Sequence, residues 1–586
     1  MPSTFFGLNI GASGLYTYQA ALNTTFHNIS NIETKGYTRQ VMGQKAGVPQ
    51  RVNNTYGMAG TGVVVTGVQQ IRDEYYDIKF WKNQTILGNY EKKDYYMKNI
   101  QSYFNEFNVR GYVESSNAMN NSLQGLSTDP SSLTKRTEVN NYAKSVTEYF
   151  NYMATSLEGI QEQANFEVKN QVSRINSIAS QIAALVKQIN ILESNGGTAN
   201  DLRDERALLI DELSTIADVS VSEFNVGDGV GVTTYEVKLN GNTLVDSTEY
   251  NTLKVVPREE KVNETDIDGL YDIVWNSGQT FHGRSALLGG SLKAILEVRD
   301  GNNLENFKGK ATGVEGTNTI TVDDSNINAI EKLNIAREGI LTVGNKTYAY
   351  DGFEVIYDAS GKATYTFTLK EALTEDVSGN ASIGESINYK GIPHYMAQLN
   401  ELVRTYARRF NEVHKQGEDL SGNRGLDYFN GTHPTTGDNY IFDDTIANGY
   451  YNLTAKNFTI NSEVMKDPTK LALAKKVVDG VEDKGNLDEL MALANDKNMF
   501  KQGTPASFLH ALVGEVGVDA KKAEDFAKSQ EDILHMIQNQ RLSISGVDME
   551  EEGMYLVRFQ HAWNLSAKVI SVMDEICNKL INEMAV

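Results

Sequence analysis

Of the 586 residues in the chain, one is cysteine, at position 577. A lone thiol closes no intramolecular disulfide and builds no cysteine-rich metal site. Proline is scarce, at 8 residues, so little of the chain is stiff linker. Histidine is as rare, at His27, His282, His394, His414, His433, His510, His535 and His561. None stands in an H-E-x-x-H arrangement and no two are spaced as a helical metal pair, which excludes the zincin site. Basic residues are outnumbered, 54 Lys and Arg against 76 Asp and Glu, for a formal net charge of −22. A chain of that sign repels phosphate backbones, so no nucleic acid partner is expected. No apolar run approaches the length of a membrane span, so no membrane insertion is expected either.

The opening also lacks something. No Lys or Arg precedes Lys35, and Met1-Pro-Ser-Thr-Phe-Phe-Gly-Leu-Asn-Ile10 is amphipathic. A secretory signal starts with positive charge followed by an apolar core. On these features the chain stays in the cytosol or leaves by a route that needs no cleaved signal.

Motifs for chemistry are missing too. Gly11-Ala-Ser-Gly14 does not have the spacing of a nucleophile elbow, and its small residues suit close helix packing. Gly227-Asp-Gly-Val-Gly231 has no helix after it and reads as a turn, not a dinucleotide loop. No phosphate-binding P-loop occurs. Asp419, Ser421, Asn423 and Asp427 are spaced like a calcium loop, but Arg424 stands where glycine is required and Asn430 where glutamate is. His414 and His535 fall in helical patterns and read as core or surface residues. No catalytic residue, metal ligand or cofactor site is expected, and the chain reads as no enzyme.

What the chain does have is length, apolar content and period. Apolar residues make up 40%, enough for packed cores, and the length suggests roughly three to five domains. Leu8, Ala12, Leu15, Gln19, Leu22, Phe26 and Ile29 follow 4-3 spacing, a narrow coiled-coil seam that ends near Asn28-Ile-Ser-Asn31. At the far end Phe559, Trp563, Ser566, Ile570, Met573, Cys577, Leu580 and Met584 repeat that spacing. Between them, helical patterns run from about 71 to 218. The clearest is Val168, Val172, Ile175, Ala179, Ile182, Val186 and Ile189, broken at Asn195-Gly196-Gly197.

Period two follows. Asn240-Gly241 between Tyr235–Leu239 and Asn242–Val245 suits a type I′ hairpin, and a second β-rich block spans about 316–370, with hairpin chemistry at Gly344-Asn345. Helices are expected at 289–300 and from Pro393 to about 415, then from about 468 to the end. A narrow seam is too thin to hold a lone helix. Both termini are therefore expected to be assembly interface, carried by Leu8, Leu15, Leu22, Phe26, Ile29, Phe559, Trp563, Ile570, Met573 and Leu580.

These terminal segments also resemble a known family. Asn28-Ile-Ser-Asn31-Ile-Glu-Thr34-Lys-Gly36-Tyr37-Thr-Arg39 is similar to the segment after the first helix of flagellar rod, hook and hook-associated proteins. Ser545-Gly546-Val547-Asp548, Glu550-Glu551 and Phe559-Gln560-x-Ala562-Trp563-x-x-Ser566-Ala567-Lys568-Val569-Ile570 resemble the ending of the same family. Leu287-Leu-Gly-Gly290, Leu296–Asp300 and Ala407-Arg-Arg-Phe410-Asn411-Glu-Val-His414 are similar to its hook-associated members. Phe26-His27 stands where small residues are usual, and the central β region is unmatched.

The resemblance implies a structural subunit at the hook–filament junction, outside the cell and exported unfolded without signal cleavage. The partners it implies are other copies in a ring, the hook protein, a second junction protein and a cytosolic export chaperone on the C-terminal helix. Alternatives are another axial subunit, such as a hook protein or flagellin, and a secreted adhesin using the outer β block. The expected fold is α+β and multidomain, a long helical bundle or coiled coil from paired terminal regions with β-rich domains inserted mid-chain. The expected division is 1–45 with 546–586 as the assembly domain, and 46–219 with 286–301, 391–420 and 465–545 as an elongated helical domain. Residues 220–285 form a β-rich domain, 302–390 an inserted outer β-rich domain, and 421–464 an irregular connection.

Overall fold

The structure is a computed structural model. It describes residues 6–53, 57–194, 196–226, 232–285, 288–433, 436–442, 449–479 and 482–583. Asn195, the segment 227–231, Leu287 and Met584 lie outside the described residues, as do 1–5.

The helices are α1 (Phe6–Ser30), α2 (Glu74–Arg110), α3 (Tyr112–Leu126), α4 (Leu133–Glu193), α5 (Asn200–Ile216), α6 (Gly290–Asp300), α7 (Ile392–His414), α8 (Ser462–Lys466), α9 (Gly485–Ala492), α10 (Pro505–Ser545) and α11 (Met549–Asn578). The frame is α4, 61 residues long, or about 90 Å at the usual helical rise. Its expected seam from Val168 to Ile189 is buried throughout. Beside it, α2 runs along α10 and contacts α5 and α6. Helix starts follow local chemistry. Thr504 caps α10 by accepting from Ser507 N at 3.2 Å, with Pro505 in the first turn. Pro393 sits in the first turn of α7, where its missing N–H costs nothing.

The first strands are β1 (Gln40–Ala46), β2 (Gln50–Asn53), β3 (Gly57–Ala59) and β4 (Val63–Gln70), paired as β1–β4 and β2–β3. Strands β5 (Val219–Asn225), β6 (Thr233–Leu239), β7 (Asn242–Asp246) and β8 (Glu249–Tyr250) form one antiparallel sheet, and β9 (Leu253–Pro257) pairs with β10 (Tyr271–Trp275). At the β6–β7 turn Asn240 and Gly241 both have positive φ, 50° and 78°, the conformation a type I′ turn requires.

A closed antiparallel barrel follows, made of β11 (Lys308–Gly313), β12 (Thr319–Asp323), β13 (Gly339–Val343), β14 (Lys346–Tyr357), β15 (Ala363–Leu369) and β16 (Val377–Ile383) in the order β11-β12-β15-β14-β13-β16. It is wider in sequence than the block expected at 316–370. Its core of Phe307, Leu341, Tyr350, Phe353, Tyr365 and Phe367 is separate from that of the helices and admits Tyr451 from outside the block. The barrel enters and leaves the helical body through two touching glycines, with Gly391 N donating to Gly301 O at 3.2 Å.

Three fully buried arginines lock these parts together. Arg404 of α7 donates to the carbonyls of Leu333, Tyr451 and Leu453 at 2.6–2.7 Å and to Glu264 at 2.5 Å, which fixes the barrel base to the helices. Arg299 pairs with Asp300 at 2.8 Å. Asp300 also meets Arg258 at 3.1 Å and Arg284 at 2.6 Å. Burial alone would push the Asp300 carboxyl up, but the three guanidiniums hold it well below the usual carboxylate range. Arg136 donates to Pro130 O and Leu471 O.

One expectation is corrected. The helices expected from about 468 begin later. Residues 468–479 run through short 3-10 turns and extended chain, α9 follows at Gly485–Ala492, and long helix resumes only at Pro505. The carbonyls there are used by partners elsewhere, such as Leu471 O by Arg136 and Ala472 O by Asn486.

Candidate assembly surface

The terminal helices α1 and α11 lie side by side and antiparallel, Gly7 near Met573 and Gly14 near Ser566. The face that α1 turns inward is made of small residues. Gly11, Gly14, Thr17, Ala21, Thr25 and Asn28 are its buried positions. A Cβ on Gly7 would stand 2.8 Å from Met573 Cε, one on Gly11 3.0 Å from Ile570 Cγ1, and one on Gly14 2.8 Å from Ser566 Oγ. The two helices therefore approach as closely as glycine permits.

The seam read from the sequence sits one residue further on, about 100° around the helix. Leu8, Leu15, Leu22 and Ile29 are half-buried, and Phe26 is 53% exposed. On α11 the arrangement differs. Phe559, Trp563, Ile570 and Met573 are half-buried, and Ile570 and Met573 lie on Gly11 and Gly7 of the chain's own α1. Leu580 is 38% exposed. The pair thus uses Ile570 and Met573 of the C-terminal seam internally, while the leucine seam of α1 is buried only in part. From Phe6 to Ser30 that helix carries no Asp, Glu, Lys or Arg.

A dense joint anchors the pair. Asn28 behaves like a strand edge toward Gln40: its Nδ2 donates to Gln40 O at 2.9 Å and its Oδ1 accepts from Gln40 N at 3.0 Å. Tyr37 Oη donates to the same Oδ1 at 2.8 Å. Gly36, at φ +83°, turns the chain over Leu208. Thr38 donates twice to Asp204, from N at 2.9 Å and Oγ1 at 2.6 Å. Burial pushes the Asp204 carboxyl up, opposed by these bonds and by Arg72.

Arg39 reaches the other terminus. Its Nε meets Glu552 at 2.7 Å, its Nη1 meets Glu551 at 2.9 Å, and its guanidinium lies over the Tyr555 ring. Asp548 caps α11 through Glu550 N at 2.8 Å and Glu551 N at 3.1 Å. Arg541 of α10 pairs with Asp77 at 2.7 Å and Asp211 at 2.8 Å. Asp77, Asp204, Asp211 and Arg541 escaped the reading from sequence. Their signal was weak, since each is one charge among many on a helix.

His414 is a satisfied core residue. Its Nδ1 donates to Leu426 O at 2.6 Å and its Nε2 accepts from Ala472 N at 2.9 Å. Burial pulls the imidazole down to about 4. Among the described residues no group of three or more His, Cys, Asp or Glu is placed to hold a metal ion, and no helix is long and apolar enough to cross a membrane.

The chain is similar to known proteins in its helical body and along its full length. Residues 97–311, from the second half of α2 into β11, match the family described as flagellar hook-associated protein FlgK helical domain. The relatives that match beyond that segment are flagellar hook-associated proteins as well. The similarity runs end to end with flagellar hook-associated protein 1. The chain is 26% identical to that protein of Bacillus subtilis, covering 100% of this chain and 99% of the relative. It is 27% identical to that of Escherichia coli K12 and 25% to that of Salmonella typhimurium, in each case covering 98% of this chain and 99% of the relative. Among solved structures, the flagellar hook junction protein FlgK from Burkholderia pseudomallei matches 80% of this chain and 100% of its own, at 15% identity and a TM-score of 0.47.

Proposed function

We propose that this chain is a structural subunit of the bacterial flagellum, that it forms the junction between hook and filament, and that its terminal helices are the surface through which it assembles. The observation that carries this reading is the α1–α11 pair, closed on the small-residue face of α1 and only half-covered on its leucine seam. An uncharged seam of Leu8, Leu15, Leu22, Phe26 and Ile29 that one chain buries only in part gains stability when another apolar surface covers it. The full-length similarity to flagellar hook-associated protein 1 supports the place of action.

On this reading the chain acts outside the cell and performs no catalysis. It joins other copies in a ring, seats on the hook protein and receives a second junction protein. A cytosolic chaperone holds α11 before export, as an amphipathic helix with an open apolar side suits groove binding. The barrel within 302–390 is an inserted domain projecting away from the assembly. Its separate core and its adjoining ends at Gly301 and Gly391 support that.

Electron microscopy of flagella labelled on this protein tests the proposal. Label confined to one band between hook and filament is the expected result. Label along the filament or on the cell body would refute it.

A further inference from the structure

We infer, independently of how the termini assemble, that the cleft between the outer wall of the barrel and the segment 258–262 binds an acidic oligosaccharide. The cleft has a volume of about 1270 Å³ and is open to solvent, ample for a ligand of several rings. Its floor is the outward face of β11, β16 and β13. Lys308 lies opposite Ser382, Lys310 opposite Asn380, and Ser382 in turn opposite Thr342. Strand alternation sends Ala381, Ile383 and Leu341 into the barrel core and leaves these polar residues outside. Asn380 and Ser382 are short and poor strand formers. What they give up in strand preference they leave as space.

Charge and polarity define the ligand class. Among the described residues Lys308 pairs with no carboxylate, and its Nζ donates to Ser386 Oγ at 2.7 Å. Beside it three guanidiniums share the buried Asp300. Their excess charge is balanced from the surface by Asp272 on Arg258 at 2.8 Å and Glu385 on Arg284 at 2.6 Å. Both of those carboxylates are exposed and line the cleft, so a solute carboxylate can take their place on the arginines. The rest of the lining is largely amide and hydroxyl. Asn380, Ser382, Thr342 and Ser386 donate and accept as sugar hydroxyls do. Asn306, buried in the lining, donates from Nδ2 to Gly384 O at 3.1 Å while its Oδ1 has no partner among the described residues. Ile340, 46% exposed, offers an apolar contact for the C–H face of a ring. No helix N-terminus lines the cleft among the described residues, which counts against a phosphate ligand. A peptide is held through apolar anchors in pockets, and the cleft exposes little beyond Ile340 and Val262 for them.

Binding of the purified full-length chain to immobilised oligosaccharides tests this. The probes are uronic-acid oligomers and their methyl esters, sialylated sugars and their neutral parents, and tri-glutamate as an acidic peptide. An acidic sugar is expected to bind about tenfold more tightly than its neutral form, the worth of a hydrogen bond to a charged group. Lys308→Ala removes the unpaired ammonium and should cause a loss of similar size. Asn380→Trp fills the cleft from an exposed position and should abolish binding. Lys169→Ala removes an equal charge from the exposed side of α4 and should change nothing. Circular dichroism checks that each variant folds. Retention of none of the acidic sugars overturns the proposal, and so does binding that survives both Lys308→Ala and Asn380→Trp. Equal losses from Lys169→Ala and Lys308→Ala would reduce it to bulk charge attraction. Tri-glutamate bound as tightly as the sugars would replace the sugar with an acidic peptide.

Discussion

Gly14 and Leu15 are neighbours in sequence, and their substitution should have opposite consequences. Gly14 faces α11, where even a Cβ would come within 2.8 Å of Ser566 Oγ. A Gly14→Leu side chain has nowhere to go unless the helices part. Overpacking of this kind costs about 1–3 kcal/mol. Replacing glycine within a helix returns somewhat under 1 kcal/mol. At the upper end the net loss is about 2 kcal/mol, which raises the open population of the pair roughly 30-fold, at about 1.4 kcal/mol per decade.

Amide hydrogen exchange read by mass spectrometry should show that acceleration in peptides covering 6–30 and 549–578, with α4 unchanged. Leu15→Asp should do the reverse. Leu15 is only half-buried in the chain, so the substitution costs the isolated protein about 1 kcal/mol, half of a full burial, and exchange at α11 rises no more than about fivefold. Binding to hooks should nevertheless be lost. Faster exchange from Leu15→Asp than from Gly14→Leu would refute the assignment of faces, and so would normal hook binding by Leu15→Asp.

Three further outcomes are expected. Asp300→Asn keeps the volume but strands Arg258, Arg284 and Arg299 around a neutral group; denaturant unfolding should show a loss of about 3–5 kcal/mol, and a loss under 1 kcal/mol would contradict the cluster's role. For His414, burial lowers the folded imidazole from 6.5 to about 4, so its stabilisation is complete above pH 6.5 and is lost as pH falls toward 4, by about 3 kcal/mol. A His414→Gln variant should show a correspondingly shallower fall over that window in denaturant titrations, and an identical slope would refute the assignment. Excision of 302–390, with Gly301 joined to Gly391 by a short Gly/Ser link, should leave a remainder that folds cooperatively and still binds hooks; loss of helical circular dichroism across the whole protein would show a shared core instead.

Much of this architecture can be read along the chain. The period of α4, the Asn240-Gly241 turn, the start of α7 at Pro393 and the joint motif from Asn28 to Arg39 all announce themselves, because local chemistry dictates them. The face of α1 does not. Gly7, Gly11, Gly14, Ala21, Thr25 and Asn28 keep to the same spacing as the leucine seam, one residue earlier. A reading weighted by apolar transfer energy picks the leucines, since small residues gain little from leaving water. Their worth is in the closeness they allow, which exists only once a partner helix is present.

The outermost strands of the barrel, beyond the β-rich run at 316–370, were hard to read for a related reason. Val377-Ser-Gly-Asn-Ala-Ser-Ile383 is poor in strand-forming residues, yet β16 closes the barrel by pairing with both β11 and β13. The buried roles of Arg299 and Arg404 were equally hidden. Each looks like a surface charge until carbonyls from distant segments converge on it.

The contact between Gly301 and Gly391 has a practical consequence. A chain that leaves a helical scaffold and returns one hydrogen bond away imposes almost no condition on what it does in between. The same opening would accept any foreign module whose own ends lie a few ångströms apart, such as an epitope hairpin or a small binding domain. Lineages sharing this scaffold are free to exchange the outer part while the helices and termini stay fixed. Each copy built into a flagellum would then carry one such module at a defined point on its surface.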